Sequence, residues 1–198
     1  VDSSLTALLL ARAGLEVRAL FMKNWNEPLP DGGCRWEREV EDALAVCDRI
    51  GIPLDTVDLS REYHDAVFAE FLREIDRGRT PNPDVLCNRE VKFKAFLAHA
   101  RSLGARYVAT GHYARIEARD GALALLRGRD PDKDQSYFLH ALGQEALGAA
   151  LFPVGALEKA RVRALAREAG LPTHAKKDST GICFIGERRY REFLAHWR

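Results

Sequence analysis

Two of the four cysteines stand among residues that could make a thiol reactive. Cys87 closes the segment Thr80-Pro-Asn-Pro-Asp-Val-Leu-Cys-Asn88, and Cys183 lies in Asp178-Ser-Thr-Gly-Ile-Cys-Phe-Ile-Gly186. The first segment reads as a proline-stiffened loop whose last residues open an apolar-periodic helix. A thiol at a helix N-terminus meets the helix dipole and nearby amide donors, which lower its pKa and favour the thiolate. Lys176 and Lys177 bring positive charge close in sequence to Cys183, a setting for a thiolate or a persulfide. Both settings predict exposed thiols rather than core packing. Asp84, three residues before Cys87, could move a proton to or from a bound substrate, or could simply cap a turn.

Other candidates are weaker. Cys47 falls on an apolar helical stripe and is expected in the core, whereas Cys34 sits beside Gly32 and Gly33 in a polar loop with its role open. Val1-Asp2-Ser3-Ser4 ahead of an apolar helix places hydroxyls and amides where a helix N-terminus attracts phosphate, although ordinary capping gives the same pattern. Thr110-Gly111-His112-Tyr113 ends a strand on a glycine, either for close backbone approach to a ligand or as a plain turn. Asp130, Asp132 and Asp134 alternate like a calcium loop, but the positions that need Gly and Glu hold Gln135 and Ala141. A polar loop entering the next helix is the better account. No Cys-x-x-Cys pair exists and the six histidines lack ligand spacing, so no metal site is expected.

The elements that position these residues alternate in type. A helix capped at Ser3 or Ser4 runs to about Ala13; a buried strand spans Val17 to Met22. Trp36 to Ile50 is helical, Leu54 to Leu59 a strand and Tyr63 to Ile75 helical. A helix through Val91, Phe93, Phe96 and Leu97 precedes a strand at Tyr107 to Thr110. Asp120-Gly121 predicts a hairpin turn between strands at Ala114–Ala118 and Ala122–Leu126. Tyr137 to Leu147, Glu158 to Ala169 and Arg188 onward read as helices. The fold class is therefore α/β, doubly wound around a mainly parallel sheet, with a helical C-terminal part and ligands at the carboxyl ends of the strands.

At 198 residues, with 46% hydrophobic and 30% charged residues, the chain fits one domain with a full core. No apolar run approaches the roughly 18 residues of a membrane span. Four irregularly spaced cysteines suit a reducing cytoplasm better than a secreted disulfide scaffold. The net charge is +1, but from Lys159 to Arg198 there are ten Lys or Arg against four Asp or Glu, leaving 20 against 25 elsewhere. That stretch is either a solvated basic face or a surface that tracks phosphates. The chain starts on a helix cap and stops inside a helical pattern, so a preceding strand is expected beyond it.

Val1-Asp2-Ser3-Ser4 resembles the tail of the Ser-Gly-Gly-x-Asp-Ser phosphate loop of N-type ATP pyrophosphatases. Phe21-Met-Lys-Asn-Trp25, Thr80 to Asn88, Ala109-Thr-Gly-His-Tyr113, Asp132-Lys-Asp-Gln-Ser-Tyr-Phe138, Leu151-Phe-Pro-Val-Gly155 and Lys177 to Gly186 are similar, in order, to blocks of the tRNA-specific 2-thiouridylases. That resemblance implies adenylation of O2 of the wobble uridine by ATP with Mg2+, then attack by persulfide sulfur to give 2-thiouridine. It implies a persulfide on Cys183, attack on it by Cys87 to leave a Cys87–Cys183 disulfide, and an acid–base role for Asp84. By the same resemblance Val1, Asp2, Ser3, Met22 and Gly111 bind ATP; Asn82, Pro83, Asp84, His112, Lys133, Asp134 and Gln135 contact tRNA. A sulfur-donor protein of a cysteine desulfurase relay is the implied partner. Residues 1–198 would then be an ATP pyrophosphatase-like catalytic domain, lacking the start of the phosphate loop and the β-rich domains that follow it. On that basis these residues alone are expected to be inactive or nearly so. Two other readings remain: an amide-forming ligase of the ATP pyrophosphatase class, which needs neither thiol, and a non-catalytic RNA-binding module.

Overall fold

The computed structural model describes residues 1–26 and 34–178. Helix α1 (Asp2–Arg12) buries Leu5 and Leu8, one turn apart, and leads to strand β1 (Ala19–Lys23). Helix α2 (Arg35–Ile50) follows, then strand β2 (Leu54–Asp58), which pairs in parallel with β1 in the register Ala19↔Leu54 to Lys23↔Asp58. Parallel neighbours require a crossover, and α2 supplies it. Lys23 Nζ closes the end of the pair on Asp58 Oδ2 at 2.9 Å. Ser60 also donates to Asp58, and these bonds hold its carboxyl down at about 2.

Asp58 also accepts the first amide of the next helix, from Ser60 at 3.0 Å. Residues 60–76 form one helical run: α3 (Ser60–Tyr63), a π-helical turn at His64–Phe68, and α4 (Ala69–Asp76). Tyr63, Val67, Phe68 and Phe71 make its buried stripe, packed with Leu59, Cys87 and Val91, with Met22 and Val57 from the strand pair, and with Trp25 just after β1. A second helical run comprises α5 (Pro83–Leu86), a π-helical stretch at Cys87–Ala95, and α6 (Phe96–Ser102). Its Phe93 and Leu97 pack with Leu139 and Ala150, and Leu20 of β1 reaches the same cluster. Successive strand side chains point to opposite faces, so Leu20 and Met22 face these helices while α2 covers the other side.

Strand β3 (Val108–Ala109) is shorter than its apolar run and pairs in parallel with β6 (Ala150–Leu151). The hairpin is as expected: β4 (Ala114–Arg119) pairs antiparallel with β5 (Ala122–Arg127), and Asp120 and Gly121 take φ of 49° and 79°. The expected helix over 137–147 is instead two short ones, α7 (Ser136–Leu139) and α8 (Gln144–Gly148). Gly143 lies between them and caps the second, a place where glycine's backbone freedom works against a continuous helix. Helix α9 (Lys159–Glu168) packs Val162 and Ala166 against Leu5, Leu8 and Tyr113. The expected helix from Arg188 lies outside the described residues. Among the described residues no helix is long and apolar enough to cross a membrane.

The loop after β6 crosses the hairpin with no room to spare, since a Cβ at Gly155 would overlap the Ala114 carbonyl oxygen. Gly155→Ala should therefore cost about 3 kcal/mol in urea unfolding of the intact protein, as overpacking against backbone does. Gly148→Ala, which meets only Leu123 Cδ1 at 3.6 Å, should leave the midpoint unchanged or raise it.

Candidate active site

The helix that carries Cys87 starts four residues earlier than its proline-rich sequence suggests. Asn82 is the N-cap: its Oδ1 accepts from the backbone of Asp84 at 3.1 Å and Val85 at 3.4 Å. Pro83 occupies the first helical position, where the fixed φ and missing N–H of proline are suited to a helix start. Cys87 is thus a full turn inside the helix. It is only 5% exposed, among Tyr63, Val67, Phe68 and Val91. This corrects the expectation of an exposed thiol at a helix terminus: the asparagine, not the cysteine, meets the terminal amides.

Asp84 and Cys87 are three residues apart and share one face of the helix. Burial pushes the Asp84 carboxyl above its ordinary range, opposed by the charge of Lys92. A carboxyl raised toward neutrality is suited to giving and taking protons. Asn88 ties this face to its neighbour, with Nδ2 donating to the carbonyl of Asp84 at 3.0 Å and of Phe138 at 3.4 Å. Its Oδ1 is buried with no hydrogen-bond partner among the described residues. The π-helical stretch shifts the helix face, as such turns do near functional sites, and turns Phe93 toward His112, 6.2 Å between ring centroids.

His112 is 9% exposed and sits between Phe93 and Phe152. Its Nδ1 shares a 2.8 Å hydrogen bond with Thr110 Oγ1. Burial, aided by Lys92, drives its pKa well below the ordinary histidine value, so the ring is neutral at physiological pH. After burial, the charge of Lys92 is the second influence on both Asp84 and His112, lowering the pKa of each.

Gly111 links His112 to the start of α1. A Cβ there would stand 2.6 Å from the Ser3 amide nitrogen and 2.7 Å from Asp2. The glycine lets the end of β3 touch the helix terminus directly. Val1, Asp2, Ser3 and Gly111 are brought together there, while Met22 sits at the C-terminal end of β1 against the core of the 60–76 helix. Tyr113 Oη donates to Asp2 Oδ1 at 2.8 Å, and Lys159 Nζ reaches both Asp2 oxygens at 2.8 Å. Lys159 also holds Asp178 at 2.9 Å, joined by Lys133 at 2.9 Å and Arg163 at 2.6 Å. Burial alone would raise Asp178, but the hydrogen bonds and charges of Lys159 and Lys133 outweigh it and hold the carboxyl well below the usual range.

The 130–135 loop makes its own order. Asp130 accepts from the amides of Asp132 and Lys159, the latter capping α9 from across the chain. Burial pushes Asp134 up, but bonds from Gly128, Ser136 N and Ser136 Oγ overcome it and leave the carboxyl lowered. Gln135 exchanges two hydrogen bonds with the backbone of Tyr113. Lys133, Asp134 and Gln135 therefore each have an internal partner. Cys47 is 4% exposed, as its apolar stripe predicts, and burial raises its thiol. Cys34 begins α2, its amide donating to Glu37 at 3.0 Å. Cys183 lies outside the described residues. Asn88 and Tyr113 fell inside matched blocks without an assigned role, and Lys92 and Lys159 carried no signal of their own, since Lys159 meets Asp2 from 157 residues away.

Two carboxyls should affect stability with opposite sign. Asp84 has a raised folded pKa, so its contribution is present below its unfolded pKa and lost as pH rises. Asp178 has a lowered one, so its contribution is present above its unfolded pKa and lost as pH falls. At neutral pH, Asp84→Asn should raise the thermal midpoint of the intact protein and Asp178→Asn should lower it. Both differences should shrink below about pH 4, where the unfolded carboxyls protonate.

The family model described as the tRNA methyl transferase HUP domain matches residues 1–187. The tRNA-specific 2-thiouridylase MnmA of Geobacillus thermodenitrificans is 58% identical over 197 residues, covering 100% of this chain and 53% of its own length. The enzyme of that name from Pseudomonas aeruginosa is 59% identical over 100% of this chain and 52% of its own, and that from Bacillus licheniformis 55% over 100% and 53%. The chain spans about half the length of the curated relatives it matches. The family match over residues 1–187 and the parallel strand pairs β1–β2 and β3–β6 lead to one statement: this chain belongs to the tRNA methyl transferase HUP domain family.

Proposed function

We propose that this chain carries the catalytic part of a tRNA uridine 2-sulfurtransferase that uses ATP and works in the cytoplasm. The observation that carries the reading is the pairing of Asp84 and Cys87 on one helical face, together with the close approach of Gly111 to the start of α1. Relatives bearing the name 2-thiouridylase support the substrate class. A ligase would not need a thiol beside a proton-transferring carboxyl.

ATP is the natural occupant of the α1 terminus. Amides and hydroxyls of the first turn, with the cradle that a Cβ at Gly111 would fill, suit its phosphates. Val1, Asp2, Ser3, Met22 and Gly111 would hold the nucleotide. Mg2+ would ride on those phosphates, with Asp2 and Asp178 the carboxylates on that side, and would neutralise phosphate charge. The uridine O2 takes the adenylyl group and pyrophosphate leaves. O2 then departs as part of AMP when sulfur bonds to C2.

Sulfur is delivered as the terminal atom of a persulfide on Cys183, loaded by a donor protein of a cysteine desulfurase relay. As that sulfur leaves with the electron pair of its S–S bond, the Cys87 thiolate bonds to the Cys183 sulfur. A thiol reductant reopens the disulfide. Cys87 must be uncovered for this step, since the resting side chain is walled by Tyr63, Phe68 and Val91. Asp84 takes or supplies the proton, and His112, buried between Phe93 and Phe152, stays neutral. Asn82, Pro83, His112, Lys133, Asp134 and Gln135 would contact the tRNA around a base that must leave its stack to be reached.

In the intact protein, Cys87→Ser and Cys183→Ser should each lower thiolation by roughly 10³-fold or more, as loss of a nucleophile does. Release of pyrophosphate in the presence of tRNA should persist in both. Full thiolation by either variant would contradict the reading.

A further inference from the structure

Tyr137 is the most exposed of the large hydrophobic side chains among the described residues, at 56%. A lone exposed aromatic needs no explanation by itself. Its mounting does. Helix α7 is one turn long, yet it is fixed from three directions: Ser136 Oγ donates to Asp134 at 2.9 Å, Asn88 reaches the Phe138 carbonyl, and Leu139 is fully buried. The Phe138 ring stands 3.9 Å from the Tyr137 ring, tilted 37°, and backs it. Helix α5, with Asp84 on it, packs against α7. The phenol senses the carboxylate of Asp84, which adds to burial in raising its pKa. At the same junction Asn88 Oδ1, on a residue 3% exposed, awaits a donor.

We infer that Tyr137 is the platform on which the target base stacks once it has left the RNA, presenting that base to Asp84 and Cys87. The inference rests on the thiolation reading above. An extruded base loses both its stacking neighbours and is held in enzymes of this kind by aromatic faces. Phe93 and Phe152 are taken up by His112, and Trp25 packs on Phe68 at 5.0 Å. Tyr107, 46% exposed, precedes β3 at the edge opposite to Gly111 and His112. Tyr137 is the one aromatic side chain of α7 that is exposed rather than half-buried, and α7 packs against α5, which carries Asp84. A platform so fixed takes up the base with little loss of side-chain freedom.

The test compares the intact wild-type protein with Tyr137→Phe and Tyr137→Leu, the second keeping apolar bulk without a π-face. Steady-state thiolation of tRNA gives KM and kcat. Fluorescence of an anticodon stem–loop carrying 2-aminopurine at the target position reports stacking of the extruded base. Tyr137→Leu should raise KM for tRNA roughly 10- to 100-fold and lose the quenching seen with wild type, while Tyr137→Phe stays within about threefold. Wild-type KM and quenching in Tyr137→Leu would overturn the stacking role alone, as would equal losses in both variants, which would assign the effect to the hydroxyl. A wild-type protein that never thiolates tRNA would overturn the parent reading and this inference together.

Discussion

The site depends on where one helix begins. The Asn82 side chain takes two amides that would otherwise be left unpaired, and Pro83 accepts the first helical position without cost. An asparagine cap of this kind is worth about 1 kcal/mol, little beside a whole fold but enough to choose a starting residue. With the start fixed, Asp84 and Cys87 face the same way, one turn apart. Had the helix started at Cys87, the thiol would sit at the dipole end in water and Asp84 would belong to a loop. The chosen start instead walls the thiol and strips water from the carboxyl, the two changes that set their chemistry.

Two polar centres grow from this point. One is the Asp84–Cys87 face with Asn88 and Lys92. The other is the α1 terminus, where Asp2, Tyr113, Lys159 and Asp178 form a chain of charged contacts. Gly111 and His112 are adjacent in sequence, the first against the start of α1 and the second against Phe93 of the helix that carries Cys87. Burial keeps the His112 imidazole neutral and raises the Asp84 carboxyl, and the charge of Lys92 adds to the first effect and opposes the second.

The alternation of helix and strand, the Asp120-Gly121 hairpin and the core position of Cys47 were all legible, because each rests on local periodicity or on a backbone conformation with a fixed residue preference. Pro83 was misleading for a physical reason: proline marks a loop and a helix start equally well, and only the cap on Asn82 tells them apart. The burial of Cys87 could not be foreseen, since its wall comes from the 60–76 helix. Nor could the break at Gly143, where a helical pattern of apolar residues hides two separate short helices. Contacts such as Lys159 with Asp2, 157 residues apart, leave no pattern in a single chain. The resemblance supplied residue roles that periodicity could not, and the geometry adds what the resemblance did not contain: Asn88 as the tie, Lys92 as the shared charge, and a thiol that starts covered.

The central claim is that this active site places sulfur on a tRNA base. Mass spectrometry of tRNA anticodons from cells lacking the intact protein tests it most directly. The account predicts that 2-thiouridine at the wobble position disappears and returns when the wild-type protein is restored. Wobble thiolation at the normal level without the protein would contradict it.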